Sequence, residues 1–188
     1  MRRFHRLLFE ADIQRGYQRL HEYRLPETTA PYWKLNEARP FQGDLVAKTT
    51  LTVTSGKPVD LLNSPLSWLV VSTRLLAAWQ AFENELEVFA ANVTDPNGAP
   101  LSGYHVVNLL RAIQCVDVDR SDVQWGNKKR RRAQWVTTAV IDSQAVPADA
   151  HLFRLAESRD YIVCSDELAQ SLVGLGLQGL VFERLDSA

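Results

Sequence analysis

Apolar and polar positions recur along this chain with two periods, and the alternation between them predicts strands broken by short helices. In residues 45–53, Leu45, Ala47, Thr49, Leu51 and Val53 alternate with Val46, Lys48, Thr50 and Thr52 as far as Ser55 and Gly56, which predicts a strand. Trp68, Leu69, Val70 and Val71 then predict a short buried strand, and Ser72 an N-cap. The helix it opens carries Leu75, Leu76, Trp79 and Phe82 on one stripe. Strand alternation resumes at Leu86, Val88 and Ala90, and Asp95-Pro96-Asn97-Gly98 predicts a turn.

The same order returns near the C-terminus. Tyr161, Ile162, Val163 and Cys164 predict a strand, Ser165 a cap, and Asp166 and Glu167 suit the positive end of a helix dipole. Leu168, Leu172 and Leu175 supply the stripe, Gly174 and Gly176 end the helix, and residues 179–185 predict a last strand. Between the two units, residues 104–118 and the alternating residues 134–141 predict a hairpin, with Gly126-Asn127-Lys128-Lys129 as its turn and a basic run at its tip. Residues 151–155 add a short strand after Pro147. Residues 1–57 organise least, because Pro26, Pro31 and Pro40 interrupt any long helix or central strand; within them Phe4–Phe9 predicts a strand. The sum is an α+β fold, a mainly antiparallel mixed sheet with two or three interleaved helices.

Length changes this picture little: 188 residues suffice for a substantial core, so residues 1–188 are expected to form a single domain. Charge removes more. A formal net charge of -1 sets up no field that would draw the chain to nucleic acid or an anionic membrane. No stretch reaches the roughly 18 apolar residues of a membrane span, and the apolar residues after Met1, Arg2 and Arg3 are too few for a signal-peptide core. A cytoplasmic protein is expected, and Cys115 and Cys164, both in apolar runs, are expected as buried free thiols.

Chemistry-bearing motifs mostly fail on context. Gly174-Leu175-Gly176-Leu177-Gln178-Gly179 matches the dinucleotide glycine fingerprint letter for letter. That motif needs a strand before it and a helix N-terminus after it, and here the order is reversed, so no cofactor is expected. The four histidines have no metal-ligand spacing and no metal is expected. Cys115 or Cys164 with His105 or His151 is the combination a cysteine-dependent enzyme would use, and it stands as an alternative without a supporting motif. No catalytic residue is assigned.

Two surface features remain. Asp117, Asp119 and Asp122 crowd three carboxylates, with Asp117 and Asp119 on one face if the segment is extended. Lys128, Lys129, Arg130, Arg131 and Arg132, flanked by Trp125 and Trp135, have the basic and aromatic composition of a nucleic-acid patch. No companion basic stripe accompanies them, so a nucleic-acid-binding module is the second alternative.

Two longer patterns point to a family. Tyr104, Asn108, Cys115, Asp117, Arg120 and Ser121 form the first; Phe153-Arg154-Leu155, Ser165-Asp166-Glu167-Leu168 and Gly179-Leu180-Val181-Phe182 form the second. Together, and more loosely with residues 58–62 and 70–72, they resemble the immunity protein eleven family of bacterial polymorphic toxin systems over residues 58–182. The resemblance implies a non-catalytic cytoplasmic antitoxin whose partner is a cognate toxin, and it brings no catalytic residues. Its shared positions look like fold determinants, with Ser72 and Ser165 as caps, Cys115 and Phe153 as core, and Gly179 as a turn. The candidate partner-binding residues are therefore Asp117, Asp119, Asp122, Trp125, Lys128, Arg130 and Arg131, since an acidic patch can block a basic cleft and aromatic and arginine residues anchor interfaces.

Overall fold

The structure, a computed structural model, describes residues 2–27, 31–127 and 132–188. The elements run β1 (Phe4–Phe9), β2 (Leu20–Arg24), α1 (Leu45–Lys48), β3 (Thr50–Val53), β4 (Leu61–Leu62), β5 (Leu69–Ser72), α2 (Thr73–Gln80), β6 (Leu86–Ala90), β7 (Asn92–Thr94), β8 (Pro100–Leu101) and β9 (Tyr104–Leu109). They continue with β10 (Ala112–Ile113), β11 (Asp122–Asn127), β12 (Arg132–Thr138), β13 (Val140–Ile141), β14 (Leu152–Leu155), β15 (Ile162–Ser165), α3 (Asp166–Gly174) and β16 (Leu180–Ser187). Short 3-10 turns occupy Ile13–Arg15 and Tyr32–Asn36. The fold is α+β, as the two periods imply.

Strands pair into a six-stranded sheet ordered β10-β14-β15-β1-β16-β13 and two four-stranded sheets, β2-β3-β7-β8 and β4-β5-β9-β6. The hairpin β11-β12 forms a sheet of its own. Pairing is antiparallel except at β10/β14, β13/β16 and β3/β7. β5 explains how the sheets stack: Leu69 and Val71 face one core, while Val70 points to another with the preceding Trp68. A strand buried on both faces reads as a continuous apolar run, as this one does. β15 repeats the arrangement, with Ile162 and Cys164 on the first core and Val163 on a third. The first core takes α2 and α3 through Leu75, Leu76, Trp79, Leu168 and Leu172.

Three expectations give way to tertiary contacts. Residues 45–48 are helix, not strand: Leu45 and Val46, adjacent in sequence, are buried on the same core, whereas a strand would send them to opposite faces. The Thr49 hydroxyl closes the turn by donating to the Leu45 carbonyl at 2.6 Å, and Asp44 pairs with Lys48. Leu175 is 53% exposed and caps α3 instead of extending its apolar stripe. Residues 104–109 do not form an arm of the expected hairpin, because β9 lies between β5 and β6; the arms are β11 and β12, and the tip residues lie outside the described residues.

The irregular N-terminal third holds the expected strand Phe4–Phe9 and, after it, structure that its local pattern conceals. β1 sits inside the six-stranded sheet, between β15 and β16. The segment after Pro31 has little regular structure of its own and is pinned from a distance. Trp68 Nε1 donates to the Tyr32 carbonyl at 2.9 Å, Asn36 Nδ2 to the Leu66 carbonyl at 3.3 Å, and Asn108 Nδ2 to the Arg39 carbonyl at 2.8 Å. The Glu87 carboxylate accepts from both the Phe41 N–H and Asn108 Nδ2.

Candidate partner-binding surface

The hairpin projects two strands whose register slips at Asp122/Val123, Gln124/Trp125 and Trp125/Asn127. Such irregularities twist a ribbon and re-aim its side chains. Val123 and Val136 hold the hairpin to the third core, and Ala133 N–H donates to the Glu157 carbonyl at 2.8 Å. Away from that contact, Trp135 is 68% exposed and Asp122 is exposed, while Trp125 is half-buried.

The three aspartates lie on a turn and at the start of β11 and not along one extended segment. Asp117 accepts the backbone N–H groups of Asp119 and Arg120 at 3.1 and 3.2 Å, so it is committed to a turn and the segment is not extended. Asp119 is exposed on that turn and Asp122 opens β11. Lys128, Arg130 and Arg131 lie outside the described residues; of the basic run, Arg132 opens β12 and pairs with Glu37 at 3.0 Å. Among the described residues, no group of His, Cys, Asp or Glu could hold a metal ion.

The cysteine-histidine combination has no usable thiol. Cys115 and Cys164 are buried, and burial pushes both thiols up to about 12, so thiolate is scarce at neutral pH. His105 Nε2 lies 3.1 Å from the Thr73 hydroxyl, and His151 Nδ1 lies 2.9 Å from the Ser165 hydroxyl. Gly179, the last residue of the glycine-rich stretch, serves packing: at φ +86° it lies so close to β4 that a Cβ would stand 2.5 Å from the Leu61 carbonyl oxygen.

Sequence reasoning missed a groove beside the hairpin base. Trp33, Lys34, Glu37 and Arg39 of the pinned segment form one wall and Arg132 the other, enclosing about 570 Å3. A smaller recess continues from it past Ala133 and Gln134 to Arg159 and Asp160. Its wall turns on Ala38, which adopts φ +53°, a conformation that costs a non-glycine residue about 1 kcal/mol. No local motif marks the groove, because its walls come from three separate parts of the chain.

A model of the Immunity protein family (Imm11) matches residues 21–187. The chain belongs to this family. No curated protein matches it. Membership gives the chain an immunity role and, in general, a toxin as partner. The Imm11 match is wider than residues 58–182 and takes in β2, β3 and the pinned segment, so the groove falls within it. The fold determinants behave as the resemblance implies: Ser72 and Ser165 accept from the N–H groups of Leu75 and Leu168, each at 3.2 Å, and Cys115 and Phe153 are core. No helix of the described residues is long and apolar enough to cross a membrane.

Proposed function

We propose that this protein is a non-catalytic antitoxin that binds one cognate toxin of a polymorphic or contact-dependent system and neutralises it in the cytoplasm. Membership of the immunity family over residues 21–187 carries the reading. Two buried free thiols, whose burial disfavours the thiolate, support the absence of catalysis and suit a reducing compartment. Three cores that share strands β1, β5 and β15 support a single domain.

The contact surface we propose is the β11-β12 hairpin and the turn before it, through Asp119, Asp122, Trp125 and Trp135, together with Lys128, Arg130 and Arg131 of the basic run. A large exposed aromatic beside charged groups is the composition of an interface anchor. Asp117 belongs to the same surface, held in the turn by its Oδ1, which accepts the N–H groups of Asp119 and Arg120. The test is co-expression with the toxin encoded beside this gene. Rescue of growth and an equimolar complex on gel filtration are expected, with Trp135→Ala weakening the complex about tenfold or more; absence of rescue by the wild-type protein would overturn the antitoxin reading.

A further inference from the structure

Among the described residues that line the groove, guanidinium groups outnumber carboxylates. Lys34, Arg39, Arg132 and Arg159 line it against Glu37 and Asp160. Arg159 Nη1 is buried and has no hydrogen-bond partner among the described residues. Behind it stands Arg154, only 1% exposed, which donates Nη1 to the Arg159 carbonyl at 2.6 Å and Nη2 to Asn36 Oδ1 at 3.5 Å. Its Nε likewise has no partner among the described residues. Arg154 thus ties the pinned segment, through Asn36, to the loop after β14 that carries Arg159.

Burying a guanidinium beside other cations is unfavourable, and an anion entering the recess would relieve it. Burial, with Arg132 and Arg39 nearby and only partly offset by Glu37 and Glu157, holds Arg159 below the usual arginine range, and burial, partly offset by Asp160 and Glu37, pushes Arg154 down to about 10. We infer that the groove is a seat for acidic side chains of a protein partner, with Arg39, Arg132 and Arg159 receiving carboxylates and Trp33 supplying apolar surface beside them. Arginine suits this task, since its planar fork meets a carboxylate through two parallel hydrogen bonds. Trp33 is 50% exposed and lines both the groove and its inner recess.

The charge pattern selects an acidic protein segment over a nucleic acid. Glu37 and Asp160 interrupt the cations, and a phosphodiester track meeting them would be repelled, whereas spaced carboxylates can alternate with them. That the acidic partner is the toxin rests on the antitoxin reading above; that the groove binds acidic peptide does not.

The probe is a fluorescein-labelled peptide of alternating glutamate and serine, compared with its lysine counterpart and with oligo-dT of equal length, by anisotropy on the full chain at low salt. The acidic peptide is expected to bind and the lysine peptide not. R39E/R132E, which changes two exposed residues, is expected to weaken binding about tenfold or more at an unchanged melting temperature, with R39Q/R132Q as the milder pair. Glu37→Gln, by freeing Arg132, is expected to tighten it about threefold. Failure of the acidic peptide to bind, equal binding by the wild type and R39E/R132E, or tighter binding of oligo-dT would each overturn the proposal. Co-expression separates the two readings. If R39E/R132E protects against the neighbouring toxin as well as wild type does, the groove is not the toxin's seat and the antitoxin reading stands; if wild type does not protect, the antitoxin reading fails whatever the peptide does.

Discussion

The chain builds one device twice, a strand running into a serine-capped helix, and secures the two copies differently. Ser72 and Ser165 have nearly the same backbone, φ -69° with ψ 160° and 156°, and each accepts from the N–H three residues on. Ser72 also donates to buried Asp60 at 2.6 Å, and the other oxygen of Asp60 accepts from Gln178 N–H at 2.9 Å. Ser165 instead meets His151, and the acids of its first turn pair with histidines: Asp166 with His5 at 2.8 Å and Glu167 with His151 at 3.3 Å. α2 has no acid in its first turn. Capping is therefore written locally in both copies, while what holds each helix in the molecule is a partner remote in sequence. The first copy leans on a buried carboxylate, the second on half-buried imidazoles.

Breaking the junction between the copies should cost most. Gly179→Ala introduces a Cβ against the Leu61 carbonyl at positive φ and is expected to destabilise by about 3 kcal/mol in urea unfolding. Next comes Asp60→Ala, which leaves the Ser72 hydroxyl and the Gln178 N–H without their acceptor, for a loss of about 2 kcal/mol against about 1 kcal/mol for His151→Ala. Equal losses would erase the distinction drawn between buried carboxylate and half-buried imidazole. The caps follow: Ser72→Ala and Ser165→Ala should each cost about 1 kcal/mol, and only Ser72→Ala should be non-additive with Asp60→Ala.

The smallest effect at neutral pH concerns the residue before each cap, Val71 in one copy and Cys164 in the other. The folded state raises the Cys164 thiol from its ordinary 9.0 to about 12. Its protonated form is thus favoured by folding, so its contribution is complete below pH 9 and is lost as pH rises from 9 toward 12. Cys164→Val, which makes the two copies alike, should change stability at pH 7 by less than about 1 kcal/mol and flatten part of the alkaline fall. An unchanged alkaline limb in pH-dependent unfolding would show that this thiol is not its source.

Legibility in the sequence followed the range of the interactions. Both caps, the turn at Asp95, whose carboxylate accepts from the N–H groups of Asn97 and Ala99 at 2.8 Å, and the strand Phe4–Phe9 were readable because their determinants lie within a few residues. Residues 45–48 misled because alternation does not reveal which neighbours will bury Leu45 and Val46 together. The groove was invisible for a stronger reason. Arg39, Arg132 and Arg159 become neighbours only once Trp68, Asn108 and Arg154 have fixed the segment and loops that carry them. Of the proposed surface, Trp125 could be read as flanking the hairpin's basic run, but the place of Asp122 at the start of β11 and the use of Asp117 in its turn depended on backbone geometry that composition does not record.

The position of β1 has a consequence for the order of assembly. Its neighbours on both sides, β15 and β16, are the last of the described strands to be synthesised. While the chain grows, Phe4 and Leu7, both buried in the finished molecule, have no sheet to enter, and their strand presents two unpaired edges. The six-stranded sheet therefore closes as a late event, joining segments far apart in the chain, and such non-local closure is slow. A growing copy cannot complete this sheet, so its central layer is assembled only after nearly all of the described chain has been made.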